Sequence, residues 1–332
     1  MLMEKFVNAV ATVMDKTSGM EVGWEVWDDP EMDRVLPDIR AGRLAPGLEL
    51  IKAAGSNWDL RAIRANILAR EAASRLDAIE RLAGDDADGL LWLGCARIRA
   101  AWNIRGAARA RYVSSERFEG FWALLATASD PLLRAAQLRP DDPVPWDCLQ
   151  WFGLGMQLDR SEMDGIWDEV RTRAPQTFAG HYSRAQVLCR KWQGSHDELL
   201  AFAREVADSC QAGDPRSAVL PLAHFEVIAD LLNDVPDDVN HASFVRDCIS
   251  SPPVAAEIAE AADRWLVAPH PNPQSAVAAH LFGAAAYFAG DTRRARRLLA
   301  CAGSRVSAYL PWGIVHIAPG HAYAKARREL GI

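Results

Sequence analysis

Trp102, Arg105 and Arg109 are spaced by three and four residues, so on a helix they share one stripe. An aromatic ring beside guanidinium forks can hold a carboxylate, a phosphate or an extended acidic peptide through paired hydrogen bonds. Arg97, Arg99 and Arg111 lie close by in sequence. The competing structural account buries Trp102 between helices and pairs the arginines with Asp or Glu of an adjacent hairpin.

A second cluster is Lys191-Trp192-x-Gly194-Ser195-His196. Gly194 is expected to take the left-handed turn that closes one helix. Ser195 is expected to cap the next, with Glu198 as its capping-box partner. That explains Gly, Ser and Glu and leaves Lys191, Trp192 and His196 as candidates for contact with a partner. As structural alternatives, Trp192 plugs the hairpin and His196 sits in an exposed first turn. The third candidate is His224 with Glu226, inside the apolar run Leu220-Pro221-Leu222-Ala223-His224-Phe225-Glu226. In an enzyme they would be an acid–base pair, with Arg105 or Arg109 holding an anionic group; the alternative is a hydrogen-bonded core histidine.

Recognised catalytic motifs are missing from the sequence. It has no GxGxxG after a strand, no phosphate-binding GxxxxGK[ST] loop, no HExxH and no GxSxG. His316 and His321 are five apart across Pro319-Gly320, so they do not share a helical face as a zinc pair would. No metal site and no cofactor is expected.

The elements that must position these residues read as helices. Leu48, Leu50, Ile51 and Ala54 form an apolar stripe ended by Gly55-Ser56-Asn57. Asp88 to Arg111 reads as one long helix. Ser114 starts another, with Phe118, Phe121, Trp122 and Leu125 on its apolar face, and Ser129-Asp130-Pro131 predicts a break. The clearest hairpin is Ala276–Ala289 with Thr292–Ala300, turning at Gly290-Asp291 and packing through Ala295 and Leu299. Pro140, Pro175 and Pro215 mark boundaries 35 and 40 residues apart, the period of stacked helical hairpins. The first forty residues break any period and read as a short helix followed by an irregular cap.

Of the 332 residues, 50% are hydrophobic and 24% charged, with a formal charge of −7, which argues against a general affinity for nucleic acid. No apolar run approaches the roughly 18–20 residues that span a bilayer, and the N-terminus does not read as a signal peptide. The six cysteines lack a CxxC pair and are expected to be reduced, mostly buried thiols of a cytoplasmic protein.

The hairpins resemble tetratricopeptide (TPR) repeats in their period and their Ala, aromatic and Pro placement. Three blocks further resemble a family of uncharacterised bacterial TPR-like proteins. They are Trp102-Asn103-Ile104-Arg105-Gly106, the stretch from Phe121 through Ala135-Ala136 to Pro140-x-x-Pro143-x-Pro145-Trp146, and Lys191-Trp192-Gln193-Gly194-Ser195-His196-Asp197-Glu198 with Phe202-Ala203-Arg204. The resemblance covers residues 45–232 and brings no catalytic residues. Pro131 departs from it, standing where relatives have an unbroken helix. It implies an all-α fold, an α-solenoid of stacked TPR-like hairpins over 46–332 behind an irregular N-terminal cap over 1–45. The function expected from this is a cytoplasmic protein–protein interaction module, a scaffold or adaptor binding a protein or peptide segment in a concave helical groove. The alternative is an enzyme or a small-molecule-binding accessory protein with a pocket between hairpins. Neither nucleic acid nor a membrane is an expected partner, and the oligomeric state stays open.

Overall fold

The computed structural model describes residues 2–106, 113–236, 238–268 and 271–332, with side chains from residue 10 onward. Helix accounts for 71% of the chain, as the all-α expectation requires. The chain opens with α1 (Leu2–Ser18) and β1 (Glu21–Gly23). Next come α2 (Pro30–Arg40), α3 (Ala45–Ala53), α4 (Trp58–Glu71), α5 (Leu76–Ala83) and α6 (Ala87–Arg105). They are followed by α7 (Ser115–Ala126), α8 (Ser129–Leu138), α9 (Val144–Met156), α10 (Arg160–Arg173) and α11 (Phe178–Val187). After a 3-10 turn at Arg190–Trp192 come α12 (His196–Ser209), α13 (Val219–Leu231), α14 (His241–Ile249) and α15 (Pro252–Val267). The chain ends with α16 (Ser275–Phe288), α17 (Thr292–Leu299), β2 (Arg305–Ser307) and α18 (Pro319–Leu330). Among the described residues, no helix is long and apolar enough to cross a membrane.

Local chemistry sets most of the helix starts. Asn57, Ser114, Asp159, Ser195, Asn240 and Asp291 each accept a hydrogen bond from a backbone N–H of the first turn. Pro140 and Pro175 lie in the turns that precede α9 and α11, and Pro215 opens the 3-10 turn that leads into α13.

Four local expectations are corrected. The first forty residues hold two helices rather than one short helix and a cap. α2 starts at Pro30 behind the Asp29 cap and carries Pro37 without ending, with Met32, Leu36 and Ile39 buried. α6 stops at Arg105, not Arg111, because Gly106 turns to φ +73°. The break near Pro131 is present, but α8 begins at Ser129 with Ala128 as its cap residue, so Pro131 sits at the third helical position. The left-handed residue after the Arg190–Trp192 turn is Gln193 (φ +88°), not Gly194. Gly194 is needed for closeness instead, since a Cβ there would lie 2.0 Å from the Leu188 carbonyl oxygen.

By its contacts the chain divides into two compact units, residues 29–187 and residues 1–28 with 188–332. In the 29–187 unit, α4, α6, α9 and α11 are buried on nearly every face, whereas α5, α8 and α10 bury a single stripe. α4 reaches α11 directly, where Asp59 accepts hydrogen bonds from Thr177 Oγ1 (2.9 Å) and the Ala179 N–H (3.0 Å). Charge is buried here as pairs. Arg61, 0% exposed, donates to Asp142 (2.6 Å) and lies 2.5 Å from Asp88. Arg64 donates to Asp29 (2.8 Å), Glu31 (2.6 Å) and the Leu50 carbonyl (2.9 Å).

In the other unit, α16 and α17 form the hairpin read from the sequence, with Gly290 at φ +81°, Asp291 capping, and Ala295 and Leu299 fully buried. Gly283 permits their approach, since a Cβ there would meet Leu299 Cδ2 at 2.3 Å. β1 pairs in parallel with β2 and α1 packs on α18, which ties the first residues of the chain to the last. Trp312 is ringed by Tyr287, Phe288 and Tyr323 at centroid distances of 6.0, 5.8 and 5.3 Å. Its indole N–H donates to His280 Nδ1 (3.1 Å), and His280 Nε2 donates to the Arg305 carbonyl (2.7 Å). That tautomer is neutral, and burial pulls the His280 pKa down to about 4.

Candidate functional site

The Trp102 stripe lies on α6 in the 29–187 unit. The Arg105 guanidinium sits 5.6 Å from the centre of the Trp102 ring and donates to the Gly106 carbonyl, and burial lowers its pKa. The other side of the indole meets Phe121 of α7, centroid to centroid 5.0 Å. Arg109 lies outside the described residues. The same stripe continues toward the start of α6 through Arg99, Ile98 and Cys95, one helical turn at a time.

These residues wall a narrow recess with about 20 Å³ of room for water-sized molecules, whose lining is Asn66 of α4, Cys95, Ile98, Arg99 and Trp102 of α6, and Cys148 and Trp151 of α9. Asn66, Arg99, Trp102 and Trp151 are part-exposed, while Cys95 and Cys148 are almost completely buried. The Trp151 ring is held in place by its N–H, which donates to Ser183 Oγ of α11 (2.9 Å). Behind it lies Asp147, whose carboxylate accepts from Ser183 and from Gln150 Nε2. Burial raises the Asp147 pKa to about 6, against the opposing pull of those hydrogen bonds.

The Lys191 cluster lies in the other unit and recruits a partner that sequence spacing had put elsewhere. Lys191 donates to Glu226 (2.8 Å), whose side chain is 1% exposed. The Tyr309 hydroxyl donates to the same carboxylate oxygen (3.0 Å), and the Lys191 ammonium lies 5.3 Å from the Tyr309 ring centre. Burial pushes up the pKa of Cys189 and of Tyr309, and the charge of Glu226 adds to both shifts. One turn along α13, Asp230 accepts from His196 Nε2 (2.7 Å) and lies 2.6 Å from Arg190. Trp192 is half-buried in the 3-10 turn. Lys191, His196, Glu226 and Asp230 thus form an ion-paired network that clamps the turn and residue 309 onto α13.

The expected His224–Glu226 acid–base pair does not form. Residues two apart on a helix point to different sides, and His224 Nε2 donates to Glu257 of α15 instead (2.7 Å). Glu257 also takes Arg204 in a bidentate pair at 2.8 and 3.1 Å. Burial lowers the His224 pKa, with Glu257 pulling the other way. This is the hydrogen-bonded core histidine weighed as the alternative.

The sequence reading missed Asn66, Cys95, Cys148, Trp151 and Asp147. The helical spacing from Cys95 through Ile98 and Arg99 to Trp102 carried a signal for the first wall. Nothing local linked α6 to Cys148 or to Asn66. Three of the six cysteines are buried, two are intermediate and Cys301 is exposed. Among the described residues, no cluster of three or more His, Cys, Asp or Glu side chains is arranged to hold a metal ion. Compared with known proteins, the chain matches no family model, no curated protein and no solved structure.

Proposed function

We propose that this chain is a binding protein built of TPR-like hairpins, acting in the cytoplasm, and that it seats a small anionic ligand with a flat apolar part in the recess walled by α4, α6 and α9. The observation that carries the reading is convergence. α4, α6 and α9 bury most of their side chains against their neighbours, yet Asn66, Arg99, Trp102 and Trp151 keep partial exposure around one opening. Arg99 suits a carboxylate or phosphate through its donor fork, Asn66 adds one donor and one acceptor group, and the Trp151 indole offers a face for an aromatic or heteroaromatic body. The Ser183 bond to Trp151 orients one face in advance, which lowers the ordering cost of binding.

A scaffold for a partner protein is the second reading, and one observation favours it. Val13, Trp24 and Ile317 are 60%, 55% and 58% exposed on adjoining elements at the α1 end, β1 and the approach to α18.

One experiment separates the two. Native mass spectrometry of the full chain from its own cell extract is compared with Arg99→Leu and Trp151→Leu. A small anionic compound retained by wild type and bound at least about tenfold more weakly by both variants, as loss of a charge-assisted contact predicts, supports the recess. Equal retention by all three proteins overturns it, and a co-purifying protein unaffected by the variants turns the reading to the scaffold.

A further inference from the structure

Cys95 and Cys148 belong to different helices, α6 and α9, which pack side by side, and both line the floor of the same recess. They are 2% and 3% exposed. The Cys95 thiol is the neighbour that acts most strongly on the Cys148 thiol. Neither is in a disulfide. A buried thiol on its own is usually inert, but this one is not alone. The two thiols stand on packed helices, they line one recess, and each has the other as a neighbour.

We propose that Cys95 and Cys148 are a reversible dithiol–disulfide pair, oxidised through the recess by a small peroxide. The chemistry closes without other groups. One thiol, ionised as it reacts, attacks a peroxide oxygen, the O–O bond breaks, and a sulfenic acid and one water form. The second thiol attacks that sulfur, the S–O bond breaks, and its hydroxyl leaves as water with the thiol proton. Two thiols and one hydrogen peroxide become one disulfide and two waters. The Cys95 neighbour and burial hold the Cys148 thiol well above its usual range, with Asp147 adding and Arg99 opposing, so Cys148 is the thiol of the second step, which brings its own proton. Both thiols line the recess, and their placement on packed helices keeps the approach in the second step short. A disulfide here would pin α6 to α9 at the recess floor, which makes the pair a control on that space whatever ligand occupies it. Disulfides in cytoplasmic proteins are characteristically of this transient, sensing kind.

The test is exposure of the folded full chain to hydrogen peroxide, alkylation of the remaining thiols, and peptide mass mapping without reduction. The expected result is one intramolecular link joining the Cys95 and Cys148 peptides, with loss of two hydrogen atoms, an unchanged helical circular dichroism signal, and return of both thiols on adding dithiothreitol. In Cys148→Ser, peroxide should leave a sulfenic acid at Cys95 that a dione reagent traps, whereas wild type should trap little. The wild-type map stands even if that variant does not fold. If Cys95 and Cys148 are both recovered as alkylated thiols after oxidation, or link only once the chain is unfolded, the proposal fails.

Discussion

The two units bury polar groups in contrasting ways. In the unit of residues 1–28 and 188–332, the buried groups His280 and Glu226 are used up in mutual contacts. His280 stands between Trp312 and a strand carbonyl, and Glu226 is claimed by both Lys191 and Tyr309. In the 29–187 unit, Arg61 and Arg64 are equally committed, but a second set of groups (Asn66, Arg99, Trp102, Trp151 and the two thiols) faces a space. Charged and aromatic residues are therefore poor guides to function by type alone. What separates a clamp from a seat is whether the groups also line a cavity.

The largest expected effect tests the committed set. Arg61→Ala leaves Asp142, 1% exposed, as a buried carboxylate without its main partner. Removing one member of a buried pair costs about 3–5 kcal/mol, read as a lowered midpoint in urea. Lys191→Ala should cost less, about 1–3 kcal/mol, because Tyr309 still donates to Glu226. Equal losses would mean that the two units bury charge at the same cost.

Acidity should move the units in opposite directions. The unfolded chain protonates a histidine near 6.5, while folded His280 resists until about pH 4. Its contribution to stability is complete above pH 6.5 and falls by about 3 kcal/mol as the pH drops to 4. Asp147 behaves in reverse, holding its proton up to about pH 6 where the unfolded carboxyl loses it near 3.8. Its contribution is complete below 3.8 and falls by about 3 kcal/mol as the pH rises to 6. Hydrogen exchange of α16 and α9, corrected for intrinsic rates, should show protection rising with pH in the first and falling in the second. Asp147→Asn should remove the second trend and leave the first. Parallel trends in the two helices would break the contrast.

The smallest effect concerns glycines. Gly165, inside α10, has nothing within 4 Å of a built Cβ, so Gly165→Ala should stabilise its unit by about 0.5–1 kcal/mol in thermal melts. Gly283→Ala should do the opposite in the other unit, since its Cβ would collide with Leu299.

Helix positions were the most legible part of the fold. The α16–α17 hairpin, the Ser195 cap with Glu198, and the prolines before α9, α11 and α13 follow from residues within one or two turns of each other. The candidate site was legible only along α6. Its stripe of Cys95, Arg99 and Trp102 repeats at helical spacing, but Cys148 stands 53 positions from Cys95 and Asn66 29 positions before it, with no periodic signal to join them. The expected His224–Glu226 pair fails for the same reason, since neighbours in sequence are turned apart by their helix.

By itself, then, the sequence determined that this protein is helical and where most helices begin and end. Those outcomes depend on caps, glycines, prolines and apolar periodicity, all acting over a few residues. The tertiary structure alone decided which polar groups meet, pairing His224 with Glu257, Lys191 with Glu226, Cys95 with Cys148, and β1 with a strand 284 residues further on. Packing buried side chains is non-directional and acts between distant segments, so the partner of a buried charge or thiol is set by how whole helices stack.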